Sequence, residues 1–402
     1  MARSHKRQAT RTGPLHIALA FPLSQAHLQT LARGITDFAR TQSRWLLTTG
    51  GESATLSIEQ LHGWRGDGIV AALVRPSEVQ AARHFMRRGV PVVTIAGAIR
   101  RQSGIPRVTV ENQAVGRLAA THLLSCGFQR FAFYGLRDVA YSTERHQGFV
   151  DGLRAAGHDC TSYWSPHTFG RRRPWQDEVL SVQQWLTRLQ APVGVFAVND
   201  YRARLVVDAC ELAGLRSPEQ VGIVGVDNDK VMCEFTEPQL SSIECDWYRV
   251  GQEAGRILQS LMRGEGPAAT ELLVPPRGVV ARASTHVTIV EHPALLLAVN
   301  YVRDHLHEIF GVERLLEVSG VSRRKLEQAF QAELGMSPYQ YLCSKRIEKA
   351  KGLLQIQPPL KLSEISRQCG FHDQRRFRLV FCRLEKISPA EFRKDRSVAM
   401  QG

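Results

Sequence analysis

Two stretches near the end of this sequence are versions of one another. GVSRRKLEQAFQAELGMSPYQY (320–341) aligns with GFHDQRRFRLVFCRLEKISPAEF (370–392). Leu326 falls on Phe377, Phe330 on Phe381, and Ser337-Pro338 on Ser388-Pro389, each at an offset of 51 residues. A repeat of that length means one supersecondary unit built twice. Each copy has a preceding helical run, VERLLEVS or LSEISRQC, then a turn glycine, Gly320 or Gly370, then a second helical run. Helix, tight glycine turn and second helix is the helix-turn-helix plan. Each unit ends in Ser-Pro with Gln340 or Glu391 three residues after the serine. That pattern predicts a capping box with proline at the first helical position.

The second helix of each unit is basic: Arg323, Arg324 and Lys325 in one, Arg375, Arg376 and Arg378 in the other. One such run is an ordinary solvated face, but matched runs in two repeats point to a polyanion. Arg and Gln can read base edges in a major groove, and Lys or Arg can grip phosphate. The run SPYQYLCSKRIEKAKGLLQ reads as a long helix joining the units, able to hold two reading helices about one duplex turn apart, roughly 34 Å. The whole chain of 402 residues carries a formal net charge of +14, a field that attracts nucleic acid or anionic membrane. It has no apolar run of about eighteen residues, so no membrane span is expected. The start, MARSHKRQATRTGP (1–14), reads as a basic tail without the apolar core of a secretory signal.

Ahead of the repeat the pattern changes. LHIALAF (15–21), RWLLTT (44–49), GIVAALV (68–74), PVVTIAG (91–97) and RVTV (107–110) read as strands with helical stretches between them. A second series follows, with RFAFYG (130–135), VGVFAV (193–198) and VGIVGV (221–226) alternating with helices, then SSIE, a helix over 247–263, ELLVPP and GVVARAS. Strands alternating with helices predict βαβ units on parallel sheets. The expected fold class is α/β: a two-lobed, Rossmann-like sensor over 15–283, with lobe 1 at 15–127 and 241–267 and lobe 2 at 128–240. A linker (284–290) and an all-α domain over 291–397 complete the expected plan.

Ligands of such sheets sit beyond the carboxyl ends of the strands. There the second lobe offers Asn199-Asp200 after VGVFAV, Asp227-Asn228-Asp229 after VGIVGV, and Tyr141 and Arg145 after RFAFYG. Carboxylates accept from hydroxyls, a guanidinium donates as a fork, and an aromatic covers an apolar sugar face, so a polyhydroxylated ligand suits the set. Asn and Asp after a strand also cap the next helix, and that reading stands beside the first. G-x-G-x-x-G, Walker A, G-x-S-x-G and H-E-x-x-H motifs are all absent, which lowers the prospect of an enzyme. The eight cysteines are scattered without a C-x-x-C pair and read as reduced thiols of a cytoplasmic protein. No metal and no cofactor are expected.

VTVENQAVGRLAATHLLSCGFQRFAFYG and TERHQGFVDGLRAAG resemble segments of the LacI-type and periplasmic sugar-binding proteins, and VFAVND and VGIVGVDND resemble their strand-end ligand motifs. The resemblance covers about 15–285 and implies a clamshell with sugar in the hinge cleft. It makes Arg145, Asn199 (or Asp200) and Asp227 ligand contacts, with Tyr141 near them. The first lobe departs from that pattern: Ala71-Ala72-Leu73 and Ala96-Gly97 stand where relatives place polar groups. The loop after the first strand offers Gln25 and His27 where relatives often place an amide and an aromatic, and His27 reads equally as a surface histidine.

Residues 291–396 closely resemble the AraC-family DNA-binding domain. The resemblance implies DNA contacts through Arg324, Glu327 and Gln328 in the first reading helix and Gln374, Arg375 and Arg376 in the second. Ser322, Arg323, Asp373 and Arg378 complete the candidate set. Lys386 stands where a glycine is usual, and Leu379 where an arginine is common. A LacI-like sensor ahead of an AraC-like reader is the plan of the xylose-operon activators, which RFAFYG, STER, ARLVVDACE and LLVPP also resemble. The resemblance implies a cytoplasmic transcriptional regulator, an activator working through RNA polymerase. Its implied partners are a double-stranded DNA operator, a sugar effector such as xylose, and a second copy joined through the sensor. Two other readings stand beside it: a DNA-binding dimer whose sensor no longer takes sugar, and a cleft enzyme with a DNA-targeting tail.

Overall fold

The helix Ala26–Gln42 buries Leu28, Leu31, Ile35 and Phe38, one stripe at three- and four-residue spacing. It lies against the helix Trp247–Met262, which turns Val250, Ala254 and Leu258 inward. The two cross closely because glycines meet backbone there: a Cβ on Gly34 would strike the Tyr248 carbonyl, and one on Gly251 the Leu31 carbonyl. The computed structural model describes residues 13–42, 45–51, 55–95, 98, 104–166, 174–266, 270–286, 292–354 and 360–393. The basic tail, apart from Gly13 and Pro14, and the pair Ala96-Gly97 lie outside the described residues.

The sensor strands are β1 (Leu15–Ala20), β2 (Trp45–Thr48), β3 (Gly68–Ala71), β4 (Val92–Thr94), β5 (Arg107–Val110), β6 (Phe131–Arg137), β7 (Cys160–Pro166), β8 (Val193–Ala197), β9 (Val221–Val226), β10 (Ser241–Glu244), β11 (Glu271–Val274) and β12 (Gly278–Val280). They form two sheets, ordered β11-β5-β4-β3-β1-β2 and β12-β10-β9-β8-β6-β7. Pairing is parallel throughout except where β12 runs against β10. The expected pair of α/β lobes is what forms.

The lobe boundaries differ from the expected ones. β10 pairs with β9, Ser242 opposite Gly225, so it belongs to the second sheet and not to lobe 1. The helix Asn112–Ser125 packs on the helix Ala140–Ala155 and on β9 and β10, so lobe 2 begins well before residue 128. The chain therefore passes between lobes three times: after β5, after β10 and between β11 and β12. β7, an edge strand, was not among the expected strands.

The segment 284–286 is not linker either. Ser284 is fully buried; its hydroxyl donates to the Ile223 carbonyl at 2.6 Å and accepts from the Ser241 N–H at 2.8 Å. Thr285 Oγ1 lies 2.6 Å from Ser241 Oγ and 2.8 Å from His122 Nε2. These bonds fasten the end of the sensor to lobe 2. Residues 287–291 lie outside the described residues.

The chain divides into two compact units at Val287/Thr288. The second holds the helices Pro293–Asp304, Val312–Ser319, Arg323–Leu334, Pro338–Leu354, Leu362–Gln368 and Gln374–Glu385. Two small cores fill it. Leu315, Leu326 and Phe330 gather with Leu295 and Val302; Ile365, Phe377 and Phe381 gather with Phe371 and Phe392. Burying side chains of this size contributes about 1.5–3 kcal/mol each. The helix Pro338–Leu354 serves both cores, giving Tyr341 and Leu342 to the first and Cys343, Ile347 and Ala350 to the second. That makes it a rigid connector. Arg346 on the same helix donates to the Glu308 and Phe310 carbonyls at 3.0 and 3.1 Å and lies over the Phe310 and Phe371 rings. Gly370 admits this packing: a Cβ there would strike the Leu306 and Glu308 carbonyls.

Both capping boxes form. Ser337 N donates to Gln340 Oε1 at 2.8 Å and Gln340 N returns to Ser337 Oγ at 3.2 Å; Ser388 and Glu391 repeat the exchange at 2.7 and 3.2 Å. Each reading helix then ends left-handed, at Gly335 (φ 65°) and at Lys386 (φ 65°). A side chain at such a φ costs about 1–2 kcal/mol, partly offset by the backbone freedom glycine gives the unfolded chain. Lys386→Gly is therefore expected to stabilise the second unit by about 0.5–1 kcal/mol, measured as a rise in its thermal midpoint. An unchanged or lower midpoint would contradict this.

Candidate ligand cleft and DNA interface

The helices Asn112–Ser125 and Ala140–Ala155 approach as closely as the first pair, and again through glycine. A Cβ on Gly116 would meet the Arg145 carbonyl, and one on Gly148 the Gln113 carbonyl. That crossing puts Arg145 beside Asn112. Arg145 is only 3% exposed; its Nε donates to Asn112 Oδ1 at 3.0 Å and its Nη1 to the Val198 carbonyl. Its Nη2 faces Asp227 Oδ1 at 3.9 Å, and the guanidinium lies over the Tyr141 ring. Arg145 is therefore held from within the lobe, with one nitrogen toward Asp227, and is not the freely forked donor the motif suggested.

Asp227 stands at the end of β9 with φ 100°, and Asn228 follows at φ 50°. Strain of this kind costs on the order of 1–3 kcal/mol and gathers at ligand sites. Asp227 accepts from the Trp247 indole N–H at 3.1 Å. Trp247 opens the helix packed on lobe 1, so this bond joins the lobes. His27, also from lobe 1, lies ring to ring with Trp247 at 4.9 Å. Burial lowers the His27 pKa, with the Asp227 charge opposing, which favours a neutral imidazole. Gln25 is exposed just before the helix Ala26–Gln42, and its carbonyl accepts from Leu28 and Gln29 N–H groups. Tyr141 touches the Asn199 side chain, and burial pushes its phenol up. Asn199 also caps the helix Asp200–Ala213, accepting from Arg202 N at 2.9 Å.

Asp200 differs from the expectation. It is 2% exposed, and both oxygens are engaged, by Ser242 Oγ at 2.6 Å and the Asp229 N–H at 2.8 Å. It braces the loop that carries Asp227, with both oxygens held by protein donors. Burial first, and the Asp227 charge second, push its pKa up to about 8, against the two donors. The folded pKa lies above the unfolded value of about 3.9, so its bound proton adds stability that is full below that value and is lost as pH rises through about 8. The wild-type thermal midpoint is thus expected to fall relative to that of Asp200→Asn between about pH 5 and about pH 9. A pH-independent difference between the two would contradict the raised pKa.

Two contributors were missed in the sequence. Asn112 follows β5 where the chain changes lobe, and Trp247 stands where it changes back. Together the set presents a carboxylate, a guanidinium nitrogen, amides, a neutral imidazole and two aromatic faces between the lobes, groups suited to a small polyhydroxylated ligand.

In the second unit, Arg324, Glu327, Gln328, Gln374, Arg375 and Arg378 are all exposed. The inward sides of both helices are taken by Leu326, Ala329 and Phe330 and by Phe377, Val380 and Phe381. Four candidates are otherwise engaged. Ser322 Oγ accepts from Lys325 N at 3.5 Å and Asp373 Oδ1 from Arg376 N at 2.7 Å, so both cap their helices. Arg323 pairs with Glu313 at 3.0 Å on the surface, and Arg376 donates to the Tyr339 hydroxyl. The remaining outward positions of the first turns are left to Arg324, followed one turn on by Gln328, and to Arg375 with its neighbours.

Residues 120–285 match the periplasmic binding protein-like domain family, and residues 315–395 a helix-turn-helix domain family. The xylose operon regulatory protein of Escherichia coli (strain K12) is 29% identical over 391 residues, 96% of this chain and 98% of that protein. Its namesake in Haemophilus influenzae is 29% identical over 386 residues, 94% and 97% of the two chains. The solved structure of the xylose-binding transcription activator XylR aligns with a TM-score of 0.76 at 28% identity, over 95% of this chain and 98% of that one. This chain is an AraC-type transcriptional regulator with a periplasmic-binding-protein-like sensor. The regulator thus shares its domain order with these proteins from end to end, and the enzyme reading falls away. Among its described residues no helix is long and apolar enough to cross a membrane.

Proposed function

We propose that this regulator takes a small aldose, D-xylose first among candidates, between its sensor lobes and couples that binding to an operator held by its two reading helices. The observation that carries the reading is the cluster joining the lobes: Asp227, Arg145, Asn112, Asn199 and Tyr141 from one side, His27 and Trp247 from the other. Asp227 accepts from sugar hydroxyls, Arg145 Nη2 donates, and Trp247 and Tyr141 supply apolar faces, with Gln25 toward the rim. The relatives described as xylose regulators support xylose. The second unit engages double-stranded DNA, and transcription is activated through RNA polymerase in the cytoplasm. A homodimer joined through the sensor completes the reading; exposed Val231 and Phe235 offer apolar surface on lobe 2 that a second copy would cover.

Calorimetric titration of the full chain with D-xylose, L-arabinose, D-ribose and D-glucose tests it. D-Xylose is expected to bind at one site per chain and more tightly than the others. Binding to selected DNA with no heat from any sugar would instead favour a regulator whose sensor has lost its sugar.

A further inference from the structure

The two reading helices correspond position by position, so the repeat also shows where they differ. The buried triplets align at the offset of 51: Leu326 with Phe377, Ala329 with Val380, Phe330 with Phe381. The outward positions therefore align too. Arg324 answers to Arg375, and one turn further along the same outward ridge Gln328 answers to Leu379. Leu379 is 59% exposed and belongs to neither core. A single exposed leucine on an ordinary surface needs no explanation. This one sits at the centre of a helix face with Arg375 one turn before it, Arg378 beside it and Arg383 one turn after, all exposed. An apolar protein partner would have to leave those guanidinium groups without counter-charges. Duplex DNA supplies phosphates for them and, on its major-groove base edges, one apolar group: the thymine 5-methyl.

We infer that Leu379 is a specificity residue that packs on a thymine methyl next to the base read by Arg375, while Gln328 at the matching place in the first helix hydrogen-bonds its base. The two half-sites are then unlike. The second prefers thymine where the first prefers a base such as adenine, to which glutamine bonds in two places. This rests on the DNA-reading function proposed above.

The test starts from sequence selection on random duplexes with the full chain, wild type and Leu379→Ala. The wild type is expected to enrich thymine at one position of the second half-site, and Leu379→Ala to lose that preference alone. Deoxyuridine, which differs from thymidine by the methyl, then replaces that base in the selected duplex. Loss of one buried methyl, about 0.8 kcal/mol, predicts an affinity drop of about fourfold for the wild type and none for Leu379→Ala. Leu379→Gln is expected to move the preference from thymine toward adenine. The inference is overturned if deoxyuridine leaves wild-type affinity unchanged, or if Leu379→Ala selects the same sequence as wild type; loss of transcriptional activation with unchanged DNA selection would show that the side chain faces a protein. If the wild type enriches no sequence at all, the DNA-reading function fails first and takes this inference with it.

Discussion

Arg324→Ala and Arg375→Ala are each expected to weaken binding to the selected operator by about 1–3 kcal/mol, roughly fivefold to a hundred-and-fiftyfold. Both side chains are exposed in the first turn of their helices, and the hydrophobic triplets face the other way. Neither substitution touches a core, so thermal midpoints are expected to hold. A bidentate arginine reads guanine, and its loss relaxes preference at that base while unrelated DNA is bound nearly as before. The connecting helix Pro338–Leu354 is packed into both cores, so the two relaxed positions are expected to lie about one helical turn apart on the duplex. Lys325 flanks this ridge and is expected to grip phosphate, so Lys325→Ala weakens all sequences alike. Binding selection and footprinting of each variant decide it. Relaxation at the same base pairs for both arginines, or at none, contradicts the paired arrangement.

Asp227→Ala is expected to cost sugar affinity about tenfold to a hundredfold, because a charged hydrogen-bonding partner buried against a ligand contributes roughly 1.5–3 kcal/mol. Asp227 is the residue on which both lobes converge, through Trp247 Nε1 at 3.1 Å and Arg145 Nη2 at 3.9 Å. Trp247→Phe separates its two parts. The ring face remains while the N–H is lost, so a smaller fall in affinity is expected than for Asp227→Ala. Titration calorimetry of the folded variants reads both. Wild-type affinity in Asp227→Ala would place the ligand elsewhere.

The repeat was legible in the sequence because its signals are local. Turn glycines, paired apolar positions and Ser-Pro caps lie within about twenty residues of one another, and each formed where expected. The same locality leaves two readings at Ser322 and Asp373. A serine or aspartate before a basic helix reads equally as a DNA contact and as an N-cap, and here the cap is made. In the sensor, Arg145 and Asp227 were visible as strand-end polar residues. The depth of Arg145 was not, since it follows from the Gly116 and Gly148 crossing between helices far apart in sequence. Trp247 was missed because nothing near it in sequence marks it; it reaches Asp227 by starting a helix on the opposite lobe. The lobe boundaries were misread for a similar reason. A strand followed by a helix gives the same apolar pattern whether or not the chain changes sheet between them.

Sugar titration of the full chain, with and without a saturating selected operator duplex, tests most directly whether one molecule couples the two sites. Coupling between sites is reciprocal: the factor by which sugar changes DNA affinity must equal the factor by which DNA changes sugar affinity. The account predicts D-xylose binding in both titrations, with affinities differing by about fivefold to a hundred-and-fiftyfold and matched by the sugar-dependent shift in operator affinity. Equal sugar affinity with and without operator, or no sugar binding in either titration, would contradict it.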